Sequence, residues 1–416
     1  MFRQLTFHTL VLLILFSCQN RQQTREPMLP ASGNWRGIIH TQGQTLPFNF
    51  RIEHGSTGGI ELVLINGEEE LPVQDIRISQ DSIFIPMHIF DAQLLARFSN
   101  GEMKGYWIKN YAEDYAIPFS AQHGATFRFV DQPQPSEVNL TGRWEVYFEN
   151  DSGKRLAVGE FNQEGNNIRG TFLRPSGDYR YLVGEMDRNA LYLSTFDGEH
   201  AYLFTGLVSN DSISGDFYSG KSRHEKWTAI RNESITLQDA HTLSYLKEGY
   251  TTLDFELPDL NGNPVTLNDP KYENKIVIVQ VFGTWCSNCM DETRFLSDWY
   301  NENKDRGVEI IALAFERKDD LDYARTRIEK LKTRFNIQYD FLFGGQNDKS
   351  YRTKALPMLE GAVSFPTMII MDRAKNIRDI HTGFSGPGTG EHYTDFVSEF
   401  NTFMDNLIEE QPETQS

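Results

Sequence analysis

The 416-residue chain has few cysteines, no long apolar segment after its first twenty residues, and a shortage of positive charge. No later stretch approaches the ~20 consecutive apolar residues that span a bilayer. The 40 Lys and Arg residues against 58 Asp and Glu give a net charge of −18 at pH 7. That charge would repel phosphates, so it argues against a nucleic-acid partner and against adsorption onto an anionic lipid surface.

The three cysteines each stand where a particular chemistry would place them. Cys18 follows a short apolar run at the N-terminus, and Cys286 and Cys289 are separated by two residues. With Cys18 assigned to the N-terminal signal, no cysteine is left over, so the pair can cycle between dithiol and disulfide without exchanging with other thiols of the chain. The sequence therefore indicates a lipid-anchored protein with a redox-active pair.

The N-terminus has the pattern of a secretory signal peptide. Arg3 supplies a positive charge, and residues 10–16 form an apolar core too short to span a membrane. The run Leu15-Phe16-Ser17-Cys18 resembles the bacterial lipoprotein cleavage box, although Phe16 is bulkier than is usual there. The alternative is an ordinary signal peptide that happens to contain a cysteine.

The lipoprotein interpretation divides the N-terminus into two segments. Residues 1–17 are the signal peptide, and residues 18–32 are a polar tether that begins at the lipidated Cys18. One acyl chain binds a membrane only marginally, so stable anchoring needs several chains on Cys18.

The region before residue 233 contains an internal duplication. Gly33-Asn34-Trp35 recurs as Gly142-Arg143-Trp144, and residues 100–107 match residues 210–217. These offsets are 142 − 33 = 109 and 210 − 100 = 110 residues. A constant offset at several places indicates a repeated structural unit.

Both repeats predict antiparallel β structure. Short runs alternate apolar and polar residues between turn signals, which favours two tandem all-β units, each a barrel or sandwich or both merged into one sandwich. The first β unit is predicted at 33–131 and the second at 138–232. Trp35 and Trp144 are interpreted as core residues rather than ligand contacts.

After a linker at 233–249, residues 250–410 alternate strands with amphipathic helices, as in a mostly parallel sheet with crossovers. A continuous β-branched run indicates a buried central strand. The predicted strands are 275–282, 308–315, 365–372 and 376–381, and the predicted helices are 289–304, 319–335 and 391–407.

A Cys-x-x-Cys pair between a strand and a helix is a site with a defined chemistry. Cys286 would sit at the helix N-terminus, where unpaired amides and the helix dipole favour a thiolate. A helix terminus supplies at most about 2 kcal/mol, which lowers a thiol pKa by roughly one unit. Cys289 lies within one turn, so it can resolve the mixed disulfide that Cys286 forms with a substrate.

Two other interpretations of the pair remain open. A zinc site would need two more ligands, and no other cysteine accompanies the pair. An inert structural disulfide is geometrically plausible, but it would not require Trp285 before the pair or a helix after it.

Four stretches together resemble the TlpA/ResA type of thioredoxin-fold domain, the membrane-tethered disulfide reductases of the bacterial envelope. They are the opening hairpin at 255–267, the segment 281–289 around the cysteines, Glu292, and Phe365-Pro366-Thr367. The resemblance implies an α/β thioredoxin-like fold at the C-terminus. It also implies that Pro366 is cis and faces the thiols, with Trp285, Phe365 and Thr367 contacting the substrate.

The resemblance points to Glu292 as a proton carrier, because Gln280 stands where thioredoxin has a buried aspartate. A partly buried Glu292 would have a raised pKa and could move the proton that Cys289 exchanges, whereas a solvated one would do nothing. A peroxiredoxin would need Thr or Ser at position 283 and Pro at 279, which are Gly283 and Val279 here.

The sequence thus predicts an enzyme, a membrane-anchored thiol–disulfide oxidoreductase that reduces disulfides of envelope proteins. Catalysis is assigned to Cys286, Cys289, Glu292 and Pro366, with no metal and no cofactor besides the Cys286–Cys289 disulfide. The expected partners are disulfide-containing envelope proteins, a membrane electron donor, and the membrane itself through Cys18. Gln19 favours the outer membrane facing the periplasm, whereas relatives of the redox domain are often in the inner membrane. The alternative is a lipoprotein that binds a ligand or partner through its β units.

Overall fold

The computed structural model describes residues 29–55, 59–87, 89–361 and 363–410. The predicted signal peptide and Cys18 lie outside these ranges. The first β unit is a nine-stranded antiparallel sheet whose two ends, β4 and β5, do not pair with each other in the described residues. Its strands are β1 (Gly33–Thr41), β2 (Gln44–His54), β3 (Ile60–Asn66), β4 (Glu69–Val73), β5 (Arg77–Ser79), β6 (Ser82–Pro86), β7 (Ala92–Ser99), β8 (Glu102–Lys109) and β9 (Ala116–His123).

The second β unit has the same up-and-down order but closes into a barrel, because β11 pairs with β12 as well as with β10. Eight strands form the ring, and the two-residue β13 extends from β12. The strands are β10 (Gly142–Asn150), β11 (Gly153–Glu164), β12 (Asn167–Arg174), β13 (Gly177–Asp178), β14 (Leu182–Asp187), β15 (Ala190–Phe196), β16 (Ala201–Ser209), β17 (Ser212–Ser219) and β18 (Arg223–Arg231).

The two tryptophans that marked the duplication occupy equivalent positions in the two units. The indole nitrogen of Trp35 in β1 donates to the carbonyl oxygen of Ala31 at 2.9 Å. The indole nitrogen of Trp144 in β10 donates to the carbonyl oxygen of Leu140, again four residues earlier and again at 2.9 Å. Both rings are buried in their cores, so the repeated Gly-x-Trp pattern reflects a repeated packing arrangement.

The open side of the first β unit is completed by the second. Phe196, Ala201 and Leu203 of the second β unit belong to the apolar cluster of the first. The ring of Phe196 lies 4.4 Å from that of Phe48, measured between centroids. An open sheet that would expose its apolar face is therefore covered by its neighbour in the chain.

The C-terminal domain, referred to below as the redox domain, contains a five-stranded sheet in the order β24-β23-β22-β26-β27. The central β22 runs parallel to β23 and antiparallel to β26, and each of its side chains is buried. Its elements are β19 (Ser244–Leu246), β20 (Glu256–Pro258), β21 (Pro264–Thr266), β22 (Ile276–Phe282), α1 (Ser287–Asn303), β23 (Val308–Glu316), α2 (Leu321–Phe335), β24 (Asp340–Gln346), α3 (Lys349–Ala355), β25 (Leu359–Gly361), β26 (Thr367–Met371), β27 (Ile377–Thr382) and α4 (Glu391–Glu409).

Two of the three predicted helix starts differ from the structure for local reasons, whereas α4 begins at Glu391 as predicted. Helix α1 begins at Ser287 rather than Cys289, because Cys286 caps it. Helix α2 begins at Leu321 rather than 319, because the Asp320 side chain accepts hydrogen bonds from the amides of Asp322 and Tyr323. The linker contributes a 3₁₀ turn at Ala240–Thr242 and the short β19. Among the described residues, no helix combines the length and apolarity needed to cross a membrane.

Candidate active site

The two cysteines lie at the junction between β22 and α1. Cys286 is the N-cap residue of α1, and its sulfur accepts a hydrogen bond from the backbone amide of Cys289 at 3.2 Å. The two residues form a disulfide, with their Cα atoms 5.2 Å apart. Amide donation to the Cys286 sulfur, together with the positive end of the α1 dipole, favours a thiolate at this position when the bond is reduced.

The residues predicted around the thiols lie directly before Cys286 and at the start of β26. The Phe365–Pro366 peptide bond is cis. The indole nitrogen of Trp285 donates to the carbonyl oxygen of Phe315 at 2.9 Å, and its ring meets that of Phe365 edge-on at 5.1 Å. Trp285 and Phe365 are half-buried, so they can still contact another molecule. Thr367 is different, since it is buried and its hydroxyl donates to the carbonyl oxygen of Ser364.

Glu292 is fully buried in α1, three residues after Cys289. One carboxylate oxygen accepts a hydrogen bond from the Gln280 side-chain amide at 2.8 Å, and the other has no partner among the described residues. Gln280 is held by Thr293, whose hydroxyl lies 3.1 Å from its nitrogen and 3.2 Å from its oxygen. Burial raises the pKa of Glu292 to about 8, although the Gln280 hydrogen bond opposes the shift. A carboxyl group with that pKa can take up or release a proton near neutral pH.

This raised pKa predicts a pH-dependent stability that depends on Glu292. Between its ordinary value of 4.5 and about 8, the folded protein binds the Glu292 proton more tightly than the unfolded protein does. The free energy of unfolding therefore falls as the pH rises through this window, by up to about 1.4 kcal/mol per pH unit from this residue. In Glu292→Gln we expect this contribution to disappear, so that the variant is the more stable protein above pH 8.

Urea denaturation of the oxidised proteins at pH 4.5, 6.5 and 8.5 measures the effect. The matched control is Glu302→Gln, the same substitution at an exposed position of α1. If the free energy of unfolding of wild type and of Glu292→Gln changed with pH in parallel, the raised pKa of Glu292 would be contradicted.

Sequence reasoning missed a second buried carboxylate on the other side of the cysteine turn. Glu316, at the end of β23, accepts hydrogen bonds from the amide and the hydroxyl of Thr284 at 2.9 and 2.8 Å. Burial raises its pKa. These bonds fix the turn that leads into Trp285 and Cys286. No spacing signal links position 316 to position 284, so only the fold identifies this contact.

Sequence reasoning also missed a group of residues from the second β unit that meet the start of α1. The Ser287 hydroxyl donates to Asp197 at 2.5 Å, and the Nδ1 atom of His200 lies 2.9 Å from the same hydroxyl. The Asn288 side-chain amide donates to the carbonyl oxygen of Asp178 at 3.3 Å and to that of Phe384 at 3.2 Å. Both residues between the two cysteines are therefore bonded to another part of the chain.

Arg180 is the centre of this contact. Its guanidinium donates to the carbonyl oxygen of Ser287 at 3.2 Å, and it is ion-paired with Glu69 and Asp291 and lies 3.9 Å from Asp197. Burial raises the pKa of Asp291 to about 7 although Arg180 opposes the shift. Burial also opposes ionisation of Asp197, but His200 and Arg180 hold its pKa below the ordinary value. One buried cation thus joins both β units to α1.

Residues 249–380 match the AhpC/TSA family. The chain is 28% identical over 135 residues to the thiol–disulfide oxidoreductase ResA of Geobacillus kaustophilus, covering 32% of this chain and 69% of that protein. The redox domain is similar in sequence to the ResA-type thiol–disulfide oxidoreductases.

Two further relatives show the same similarity of the redox domain. The ResA protein of Bacillus thuringiensis is 30% identical over 129 residues, covering 30% of this chain and 65% of the relative. The thioredoxin-like protein YneN of Bacillus subtilis is 29% identical over 138 residues, covering 33% and 73%. The chain thus spans about two thirds of the length of these relatives.

The relatives confirm the predicted TlpA/ResA resemblance and support an oxidoreductase. The family match lies within the redox domain and includes neither β unit. Lipid attachment at Cys18 stays a prediction.

Proposed function

We propose that the protein is a membrane-anchored thiol–disulfide oxidoreductase that reduces disulfide bonds of proteins in the bacterial cell envelope. The observation that carries this proposal is the Cys286–Cys289 disulfide at the N-terminus of α1. Relatives named thiol–disulfide oxidoreductases support the reaction type. The periplasmic location, Cys18 anchoring and a membrane electron donor are part of the same proposal.

The reaction begins from the reduced pair. The Cys286 thiolate attacks one sulfur of a substrate disulfide, forming a mixed disulfide and releasing the other substrate sulfur as a thiolate. Cys289 then loses its proton and attacks Cys286, which releases the second substrate sulfur. Two electrons pass from the enzyme to the substrate, which becomes a dithiol while Cys286–Cys289 becomes a disulfide. To return to the dithiol, the Cys286–Cys289 disulfide must receive two electrons from a thiol or dithiol donor.

Glu292 is proposed as the proton carrier for Cys289. The two residues are three positions apart on α1, so they lie on the same face one turn from each other. A buried carboxyl group with a pKa of about 8 can accept the Cys289 proton and return it to a leaving substrate thiolate. Pro366 and the half-buried Trp285 and Phe365 would contact the substrate backbone next to the reacting sulfurs.

The barrel interior does not favour the ligand-binding alternative. Aromatic side chains fill the second β unit, with the Phe204 ring 4.5 Å from Phe217 and 4.6 Å from Phe172. Trp227 packs against the same group. This interior is a packed core rather than a cavity for a ligand.

A Cys289→Ser variant tests the proposed reaction. Without the resolving thiol, Cys286 should remain covalently attached to substrates, so envelope extracts should yield adducts that migrate slowly on non-reducing gels and disappear with dithiothreitol. The matched control is Cys286→Ser combined with Cys289→Ser, which should form none. If Cys289→Ser traps no more protein than the double variant, the reductase assignment is wrong.

A further inference from the structure

Two loops of the second β unit lie over the start of α1. We call them the covering loops and define them as residues 175–181 and 197–200. The first loop approaches so closely that a Cβ atom at Gly177, whose φ is +127°, would collide with the Asn288 side chain. It is also fixed from the other side, since the amide of Gly386 donates to the Asp178 carboxylate at 2.7 Å.

The disulfide has little access in this arrangement. Cys286 is 7% exposed and Cys289 is 0% exposed. Thiol–disulfide exchange requires an incoming thiolate to reach a disulfide sulfur directly, and reactive cysteines are accordingly partly exposed. A protein chain would have to approach where the covering loops already bond to Ser287 and Asn288. The closed arrangement therefore excludes a protein from the bond that it must attack.

The first β unit strengthens the closed arrangement through contacts with α2 of the redox domain. The Tyr323 hydroxyl on α2 donates to the Asp91 carboxylate at 3.0 Å, and Arg334 donates to the carbonyl oxygen of Pro72 at 2.6 Å. Apolar contact is added by Ile89 and Phe90, which join the core cluster of the redox domain.

Closer to the site, Arg317 pairs with Glu199 at 3.0 Å. Its guanidinium lies between the rings of Trp285 and Tyr111, 4.5 and 4.8 Å from their centroids. Much of this interface is made of hydrogen bonds and ion pairs, which water can replace when the surfaces separate. Interfaces of that kind between domains of one chain allow relative motion.

We propose that the two β units act as a releasable cover over the Cys286–Cys289 site and that protein partners react only after this cover is displaced. The inference rests on the proposed function and adds its regulation: access to the site is controlled by the same chain. Loosening the cover should therefore accelerate exchange with proteins more than exchange with small thiols.

The test uses oxidised full-length protein and a double variant, Tyr323→Phe with Arg334→Met, which loses the two hydrogen bonds between α2 and the first β unit. The matched control is Tyr351→Phe with Arg378→Met. These side chains bond to Asp319 and Glu410 inside the redox domain. Reduction of Cys286–Cys289 is followed by alkylation and gel shift, once with dithiothreitol and once with reduced, unfolded ribonuclease A.

Loss of two hydrogen bonds predicts a rise of roughly tenfold in the rate with the ribonuclease thiols and a smaller rise with dithiothreitol. The control variant should match wild type with both. Equal reduction rates for all three proteins with ribonuclease would overturn the proposed cover, while the proposed reductase function would stand. If dithiothreitol reduces wild type and both variants readily but none of the three exchanges with ribonuclease, the proposed function fails and the inference with it.

Hydrogen exchange provides a test that does not depend on the interface variants folding. In Cys289→Ser, a mixed disulfide between Cys286 and a ribonuclease cysteine should hold the cover open. Peptides spanning residues 175–181 should then take up deuterium several-fold faster than in the unconjugated variant. Unchanged uptake would overturn the proposal, because the protein partner would have been accommodated without displacing the loop.

Discussion

A Cys286→Ser variant is expected to lose its reduction of insulin disulfides by roughly two orders of magnitude, to the background rate of dithiothreitol alone. The cause is the loss of the sulfur that caps α1 and forms the mixed disulfide. Cys289 cannot take over, since it is fully buried within the helix. Precipitation of insulin chains, followed by turbidity, measures the rate.

The third cysteine of the chain provides the matched control. Cys18→Ser makes the same substitution outside the redox domain and should keep full insulin activity. If Cys18 carries the lipid, this variant should also move from the detergent phase to the aqueous phase in detergent partition of cells, while Cys286→Ser stays in the detergent phase. Loss of insulin activity in both variants, or in neither, would contradict the assignment of roles.

Replacing Arg180 with methionine is expected to lower the free energy of unfolding by about 3–5 kcal/mol at pH 8. The substitution leaves Glu69, Asp197 and Asp291 in a buried site without the cation that pairs with them. Uncompensated carboxylates are most costly when ionised, so the deficit in the free energy of unfolding should narrow at pH 5, because burial without the cation favours protonation.

Urea denaturation at both pH values measures this effect. The control is Arg378→Met, which removes an arginine paired with Glu410 at the surface and should cost no more than about 1 kcal/mol. Equal losses in the two variants would show that the Arg180 cluster has no special energetic role.

The parts of the site that sequence reasoning could predict are local in the chain. An apolar β-branched run, a Cys-x-x-Cys pair and an amphipathic helix follow one another within 30 residues, and their order alone places the pair at a strand-to-helix junction. Phe365-Pro366-Thr367 was recognisable because the resemblance supplied its position relative to the cysteines. The burial of Glu292 was not readable, because it depends on Gln280 and Thr293 meeting across a strand and a helix.

The contacts over the cysteine turn were beyond sequence reasoning for a different reason. Asp178 bonds to Asn288 across 110 residues of chain, and Asp197 bonds to Ser287 across 90. In a sequence, a charged residue in a turn between strands resembles a solvated surface residue. Closure of the barrel could not be predicted from the sequence either. The two units have similar strand patterns, yet the second β unit closes through β11–β12 pairing and the first stays open.

The apolar completion of the first β unit by Phe196, Ala201 and Leu203 has a mechanical consequence. Separating the two β units would expose this shared apolar cluster to water. An outward swing of the cover from the redox domain must therefore carry both β units together as one rigid body. Further along the chain, β19 (Ser244–Leu246) is paired with β25 (Leu359–Gly361) of the redox domain. Asn232 and Glu233 bond to the second β unit, and His241 bonds to Asp379 of the redox domain, so an outward swing would turn about residues 234–239. Stiffening that stretch would slow every turnover that needs the swing.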